Sequence, residues 1–279
     1  MQQPLRIASL TVLAMLAFAG NSLLCRLALR DTTIDAASFT SIRLVSGAVM
    51  LAILMAGRGA RPWTAGTWPA AAMLFAYAVT FSFAYRQLTA ATGALLLFGA
   101  VQITMLGYGL ATGERLQGLQ WLGLSVAVAG LVGLLLPGIA APPLMGAAFM
   151  LAAGAAWGVY SLLGRGVTDP VAGTAGNFLR AVPFTIALSL ATTAQASFDA
   201  TGILYAVASG AITSGLGYVF WYAALPAFKA ASAATVQLSV PALAALGGVL
   251  LLAEPLSPRL LIASVAILGG IALVILRRR

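Results

Sequence analysis

Residues 250–261 read LLLAEPLSPRLL, and residues 110–122 read LATGERLQGLQWL. In each stretch two long apolar runs meet at a joint built around one glutamate, Glu254 or Glu114. In the later one Pro255 and Pro258 keep a helix from running through, because proline lacks the backbone N–H and clashes with the preceding turn. The pattern is a helical hairpin with a polar tip. Only six of the 279 residues are acidic, so two at matching joints 140 positions apart point to a repeated unit. Both carboxylates read as polar stops at a membrane surface.

Composition says what the hairpins sit in. The chain is 61% apolar and 8% charged, with a mean hydropathy of +1.01, whereas a soluble domain carries about a quarter charged residues. It cannot cover a globular surface with polar groups, so the lipid bilayer is its solvent. About 20 apolar residues cross a bilayer as a helix. Runs bounded by charge, Pro or Gly place helices near 5–28, 36–56, 69–86, 89–112 and 118–136, then near 144–164, 172–193, 200–223, 229–252 and 257–276. The expectation is an all-α polytopic membrane protein with ten transmembrane helices. Arg6, the apolar run after it and AFAG at 17–20 imitate a signal peptide, but the repeat needs this segment as a complete helix.

The loop-like PGIAAPP at 137–143 divides the chain into halves, 1–139 and 140–279. SLLCR at 22–26 matches SLLGR at 161–165, an offset of 139. Arg43 matches Arg180, and FAY at 83–85 matches FWY at 220–222, both at 137. Glu114 and Gly130 match Glu254 and Gly270 at 140. The offsets change only where loops absorb insertions, as in a duplicated unit. A unit of five helices ends on the side opposite its start, so the second copy enters upside down; inverted repeats of this kind build many transporters. With both termini in the cytoplasm, the inner side holds nine basic residues: Arg6, Arg58, Arg61, Arg115, Arg165, Lys229 and Arg277 to Arg279. The outer side holds four: Arg26, Arg30, Arg86 and Arg259. That asymmetry follows the positive-inside rule.

The segment VPALAALGGVLLLAEPLSPRLLIASVAILGGIALVIL, 240–276, resembles the closing helix pair of the EamA-type drug/metabolite transporters. The first half repeats it more loosely, with Arg115 and Gln117 where the second half has Pro255 and Ser257. The resemblance implies ten helices in two inverted halves and a carrier in the bacterial inner membrane. It further implies export of metabolites or amino acids, aromatic and hydrophobic amino acids above all. A multidrug or cationic-metabolite exporter and an uptake carrier of the same fold are the alternatives.

In inverted-repeat carriers the site lies near mid-membrane between the halves. Side chains suited to a small-molecule substrate there are Asn21, then Tyr77 and Phe81 four apart on one helix face, and Phe98 and Gln102 likewise. Trp157 and Tyr160, Tyr218, and Gln237 and Ser239 complete the candidate set. Amides are costly in hydrocarbon unless partnered, so Asn21, Gln102 and Gln237 are expected to face inward. Tyr85 and Tyr222, near helix ends, read as interfacial anchors. Pro241, within the 229–252 run, marks a hinge that Val101, its counterpart, does not reproduce. Arg43 and Arg180 lie about 10–12 Å inside their helices; their symmetric placement favours a structural role over substrate binding.

With no histidine and a single cysteine, Cys25, no metal or redox cluster is expected and no cofactor is implied. The net charge of +9 is scattered at helix ends, which fits lipid headgroups and not nucleic acid. All six acids map to joints or helix ends. Intramembrane Asp, Glu or His are the usual proton relays, so gradient-driven movement in which no buried carboxylate couples transport to protons is expected.

Overall fold

The computed structural model of the protein describes residues 2–276 apart from 62, 64, 114, 139, 166 and 229–235. Glu114, Lys229 and Arg277 to Arg279 therefore lie outside the described residues. Those residues form helices joined by short turns: α1 (Gln2–Asp31), α2 (Ala36–Gly57), α3 (Trp68–Tyr85), α4 (Ala90–Ala111), α5 (Gly118–Leu135), α6 (Leu144–Leu163) and α7 (Pro170–Ala191). They continue with α8 (Ala200–Ala227), α9 (Ser239–Leu252) and α10 (Pro258–Leu276). Among the described residues eight helices are long and apolar enough to cross a membrane, and the shorter α9 is apolar too. The protein is a multi-pass membrane protein. Helix α7 is less apolar, because Thr174, Asn177, Arg180 and Thr185 interrupt it, yet Val171 through Phe178 are all buried.

Helix starts follow from capping chemistry. Asp35 accepts hydrogen bonds from the amides of Ala37 and Ser38, Asp169 from Val171 and Ala172, and Asp199 from Gly202. Thr67 and Thr89 do the same for α3 and α4. Each satisfies amide donors that the first helical turn leaves open. Helix α9 ends with Ala253 in the left-handed conformation, and the Glu254 amide reaches back to the carbonyl of Gly248.

Packing partners are few and extensive. Helix α2 lies along α7 and α8, α3 along α6 and α7, α1 along α8 and α9, and α4 along α6 and α9. Helices α5 and α10 form an antiparallel pair that touches the rest mainly through α4. There a Cβ on Gly123 or Gly270 would collide with the other's carbonyl, so only glycine permits this backbone contact. Outward faces carry exposed Val12, Leu16, Ile53, Leu250, Ile262 and Val265, the apolar coat that lipid solvates.

Two features depart from the sequence reading. Helix α8 is not a plain α-helix: Ala208–Leu216 is π-helical, and Gly210 there lies so close to the Arg43 carbonyl that a Cβ would not fit. Pro241 lies in the first turn of α9, after a break at Leu238, instead of in mid-helix. Proline is tolerated in a first turn, and here it cannot donate to the Gln237 carbonyl.

Candidate functional site

One end of the bundle is tied by a buried carboxylate. Glu254, 6% exposed, accepts from Arg26 Nε at 2.8 Å and from the amide of Ala90, the first residue of α4, also at 2.8 Å. Arg26 Nη1 donates to the Tyr85 carbonyl at 2.9 Å, and Arg30 Nη1 to the Leu252 carbonyl at 2.7 Å. Glu254 is thus more than a polar stop, because its joint folds inward onto α1 and the α3–α4 turn. Tyr85 is likewise no interfacial anchor. It is fully buried, with its ring in the space left by the missing side chain of Gly93 and its hydroxyl on the Ala90 carbonyl at 3.4 Å.

A ladder of rings runs from this knot into the bundle: Tyr85 against Phe81 at 4.7 Å between centroids, Phe81 against Tyr77 at 5.2 Å, and Tyr77 against Trp157 at 4.9 Å. Trp157 then stacks on Tyr218 at 5.3 Å and 22°. Between these rings lies an enclosed cavity of about 30 Å³, to which α1 adds Phe18, Asn21 and Ser22. Helix α4 contributes Leu97 and Phe98, α8 contributes Thr213 and Ser214, and Gln237 closes it ahead of α9. That volume admits water, whereas pockets that hold small molecules span about 300–1,000 Å³. The bundle is closed around its centre.

The polar wall is a hydrogen-bonded chain. Ser209 and Thr213 donate to Asn21 Oδ1 at 2.7 and 3.4 Å, and Asn21 Nδ2 donates to the Tyr77 hydroxyl at 3.2 Å. The same hydroxyl accepts from Arg43 Nη2 at 3.2 Å. Arg43 is 2% exposed, and its guanidinium carbon lies 4.9 Å from the Phe81 ring centroid and 5.2 Å from that of Tyr77. Its Nε and Nη1 have no partner, and neither has the Ser214 hydroxyl. Among the described residues these are the buried side-chain polar atoms left unsatisfied; Ser214 lines the cavity, and Arg43 lies behind its Tyr77 and Phe81 wall. Arg180 differs. It donates to the carbonyls of Ala65, Gly176 and Trp63, tying α7 to the α2–α3 connection. The contacts expected of a structural role are seen at Arg180, whereas at Arg43 no described carbonyl or carboxylate accepts from the guanidinium.

Of the side chains singled out from sequence, Asn21, Tyr77, Phe81, Phe98, Trp157, Tyr218 and Gln237 line the cavity together. Tyr160 stands behind Trp157, its hydroxyl accepting from Asn177 at 3.4 Å. Gln102 faces a separate crevice between α4, α5 and α10, one helical turn past Phe98. Ser239 is exposed and bonds the Val236 carbonyl. The lining residues not singled out are Phe18, Ser22, Leu97, Thr213 and Ser214, with Ser209 bonded to Asn21 behind them. The run ASGAITSGLG at 208–217, small and hydroxylated inside an apolar helix, was the available signal for three of them. A concavity of about 650 Å³ is an open groove outside the bundle between α2, α7 and α8. Its exposed Val49, Ile53, Ile186 and Leu190 face lipid, and its Ser41 hydroxyl lies 3.0 Å from that of Ser189.

Spanning helices closed around a mixed aromatic and polar cavity are what an integral-membrane carrier of small molecules requires. The chain belongs to the EamA-like transporter family, whose model matches residues 144–276. It is 61% identical over 271 residues to the "Uncharacterized protein PA1977" of Pseudomonas aeruginosa, covering 96% of this chain and 94% of that one. A solved crystal structure at 20% identity covers 97% of this chain and 99% of its own, with a TM-score of 0.65, a likeness of fold alone. The family points to a transporter acting on small molecules within the bilayer, not to an enzyme.

Proposed function

We propose that the protein exports aromatic and other hydrophobic amino acids, or related metabolites, across the bacterial inner membrane by alternating access through the ring-lined cavity. In this reading ten helices span the membrane as two inverted repeats, 1–139 and 140–279, with both termini cytoplasmic. The observation that carries it is the cavity's own lining. The repeat offsets of 139, 137 and 140 relate Phe18 to Trp157, Tyr77 to Ser214, Phe81 to Tyr218 and Leu97 to Gln237, and all eight face the same space. Helix contacts follow the same exchange: α3 on α6 answers α8 on α1, α4 on α6 answers α9 on α1, and α2 on α8 answers α7 on α3. A site on the boundary of two such halves is where alternating access places substrate.

The knot of Arg26 and Glu254 then seals the outer end, and it must open for release. The described carboxylates serve helix ends and this knot, which supports movement down the substrate gradient without a carboxylate relay. The π-helical turn of α8 fits the same reading, because π-helical turns recur at functional sites where a helix must widen. Flux of labelled phenylalanine in proteoliposomes, measured in both orientations beside a sugar and a cationic drug, tests it. Saturable movement of phenylalanine, unchanged when the proton gradient is collapsed, is expected. Movement of the cationic drug alone would contradict it.

A further inference from the structure

We infer that Arg43 is the anion-binding group of the central cavity, so that the carrier selects molecules joining a carboxylate to an aromatic or apolar body. The inference deepens the proposed function and rests on its placing substrate in this cavity. Ionisable side chains inside a membrane protein almost always pair with one another or with carbonyls, and each marks a functional-site hypothesis by default. Arg43 is enclosed and charged, yet two of its nitrogens are empty and its third bond goes to a neutral phenol. Arginine remains protonated in proteins, so the charge cannot be shed. In the closed structure the faces of Tyr77 and Phe81 stand in for a counter-ion. Those two rings also wall the cavity.

Admitting any solute to a cavity of about 30 Å³ requires the wall to retreat. Withdrawal of Tyr77 and Phe81 uncovers the guanidinium, whose planar fork matches a carboxylate. The surroundings agree on the sign of the ligand's charge. The Tyr77 hydroxyl already accepts from Asn21 and Arg43, so its own proton is left to donate, and the Ser214 hydroxyl is unpartnered. Donors converge here, and no described carboxylate is hydrogen-bonded to them. The aromatic shelf of Trp157 and Tyr218 takes the rest of the molecule and, in a zwitterion, offers ring faces to the ammonium group.

The test is a ligand series on the purified full-length protein, read as thermal stabilisation and as competition against labelled phenylalanine in proteoliposomes. The probes are phenylalanine, 3-phenylpropionate, phenylalaninamide and phenethylamine, of which only the first two carry a carboxylate. Wild type is expected to bind those two at least about tenfold more tightly than the others, about 1.4 kcal/mol. Arg43→Gln is expected to lose that preference, while Arg180→Gln keeps it. Equal binding of phenylalaninamide and phenylalanine by wild type overturns the inference whether or not any variant folds. So does a monodisperse Arg43→Gln protein that keeps wild-type carboxylate affinity, or the binding of no probe at all. Phenylalanine flux that is indifferent to Arg43 leaves the proposed function standing and removes the anion site. Arg43-dependent binding of 3-phenylpropionate without amino-acid flux does the reverse.

Discussion

Arg43 in α2 and Arg180 in α7 answer one another across the repeat offset, and in sequence they carry the same signal. Their surroundings are opposite. Arg180 bonds three carbonyls of α7 and the α2–α3 connection, and Arg43 meets one phenol and two ring faces. Arg26 supplies a third condition, paired with Glu254 and two carbonyls. The first lesson is that matching positions in sequence need not have matching surroundings. In the proposed reading a guanidinium held by fixed acceptors braces the fold, whereas one left without them is free to take a ligand.

That contrast can be broken by experiment. The largest expected effect comes from Glu254→Ala, which would strip Arg26 of its carboxylate partner and leave it only the carbonyls of Tyr85 and Arg86. Removing one partner of a buried pair costs about 3–5 kcal/mol, so the thermal midpoint in detergent should fall sharply. The outer end should also become accessible to a thiol reagent at a cysteine placed beside Ser22. Retention of wild-type stability would mean that the knot does not hold the bundle.

Next is Arg180→Gln. Losing charged donors to several carbonyls should lower stability by about 2–3 kcal/mol while leaving ligand preference intact, checked by the same melting curves and ligand series. Arg43→Gln is its mirror: stability within about 1 kcal/mol of wild type or above it, because an uncompensated buried charge disappears. A steep loss of stability in Arg43→Gln would make that residue a second Arg180 and erase the distinction.

The smallest effect concerns the surface. Partial burial works to raise the Asp35 carboxyl, but donors from Ser197, Ser38 and Ala37 outweigh it and hold the group below the ordinary aspartate value. Its folded value being depressed, its contribution is fully present above the unfolded pKa of about 3.9 and is lost as pH falls through the folded value. Asp35→Asn should therefore lower the melting point modestly at pH 7, and the gap from wild type should close on acidification.

Most of the helical frame was readable from residues alone, since apolar run length and capping residues are local properties. Seven of the ten substrate-site candidates line one cavity, because spacing on one helix fixes which side chains share a face. Gln102 shows where that reasoning stops: it shares a face with Phe98, but one turn further along the helix has different neighbours, α5 and α10. Tyr85 was misjudged because closeness to a helix end does not reveal that the α3–α4 turn is covered by the Glu254 joint. The π-helical turn and the unequal arginines depend on which helix arrives opposite, a tertiary fact with no local spacing. Arg43 looked like Arg180 until the acceptors around each were known.

The central claim is tested most directly by an experimental structure of the protein with 3-phenylpropionate bound. The account predicts ligand density between Tyr77, Trp157 and Tyr218, with the Tyr77 and Phe81 rings drawn back and the carboxylate on Arg43 Nε and Nη1. Density in the lipid-facing groove between α2, α7 and α8, with Arg43 still covered by Tyr77 and Phe81, would contradict it.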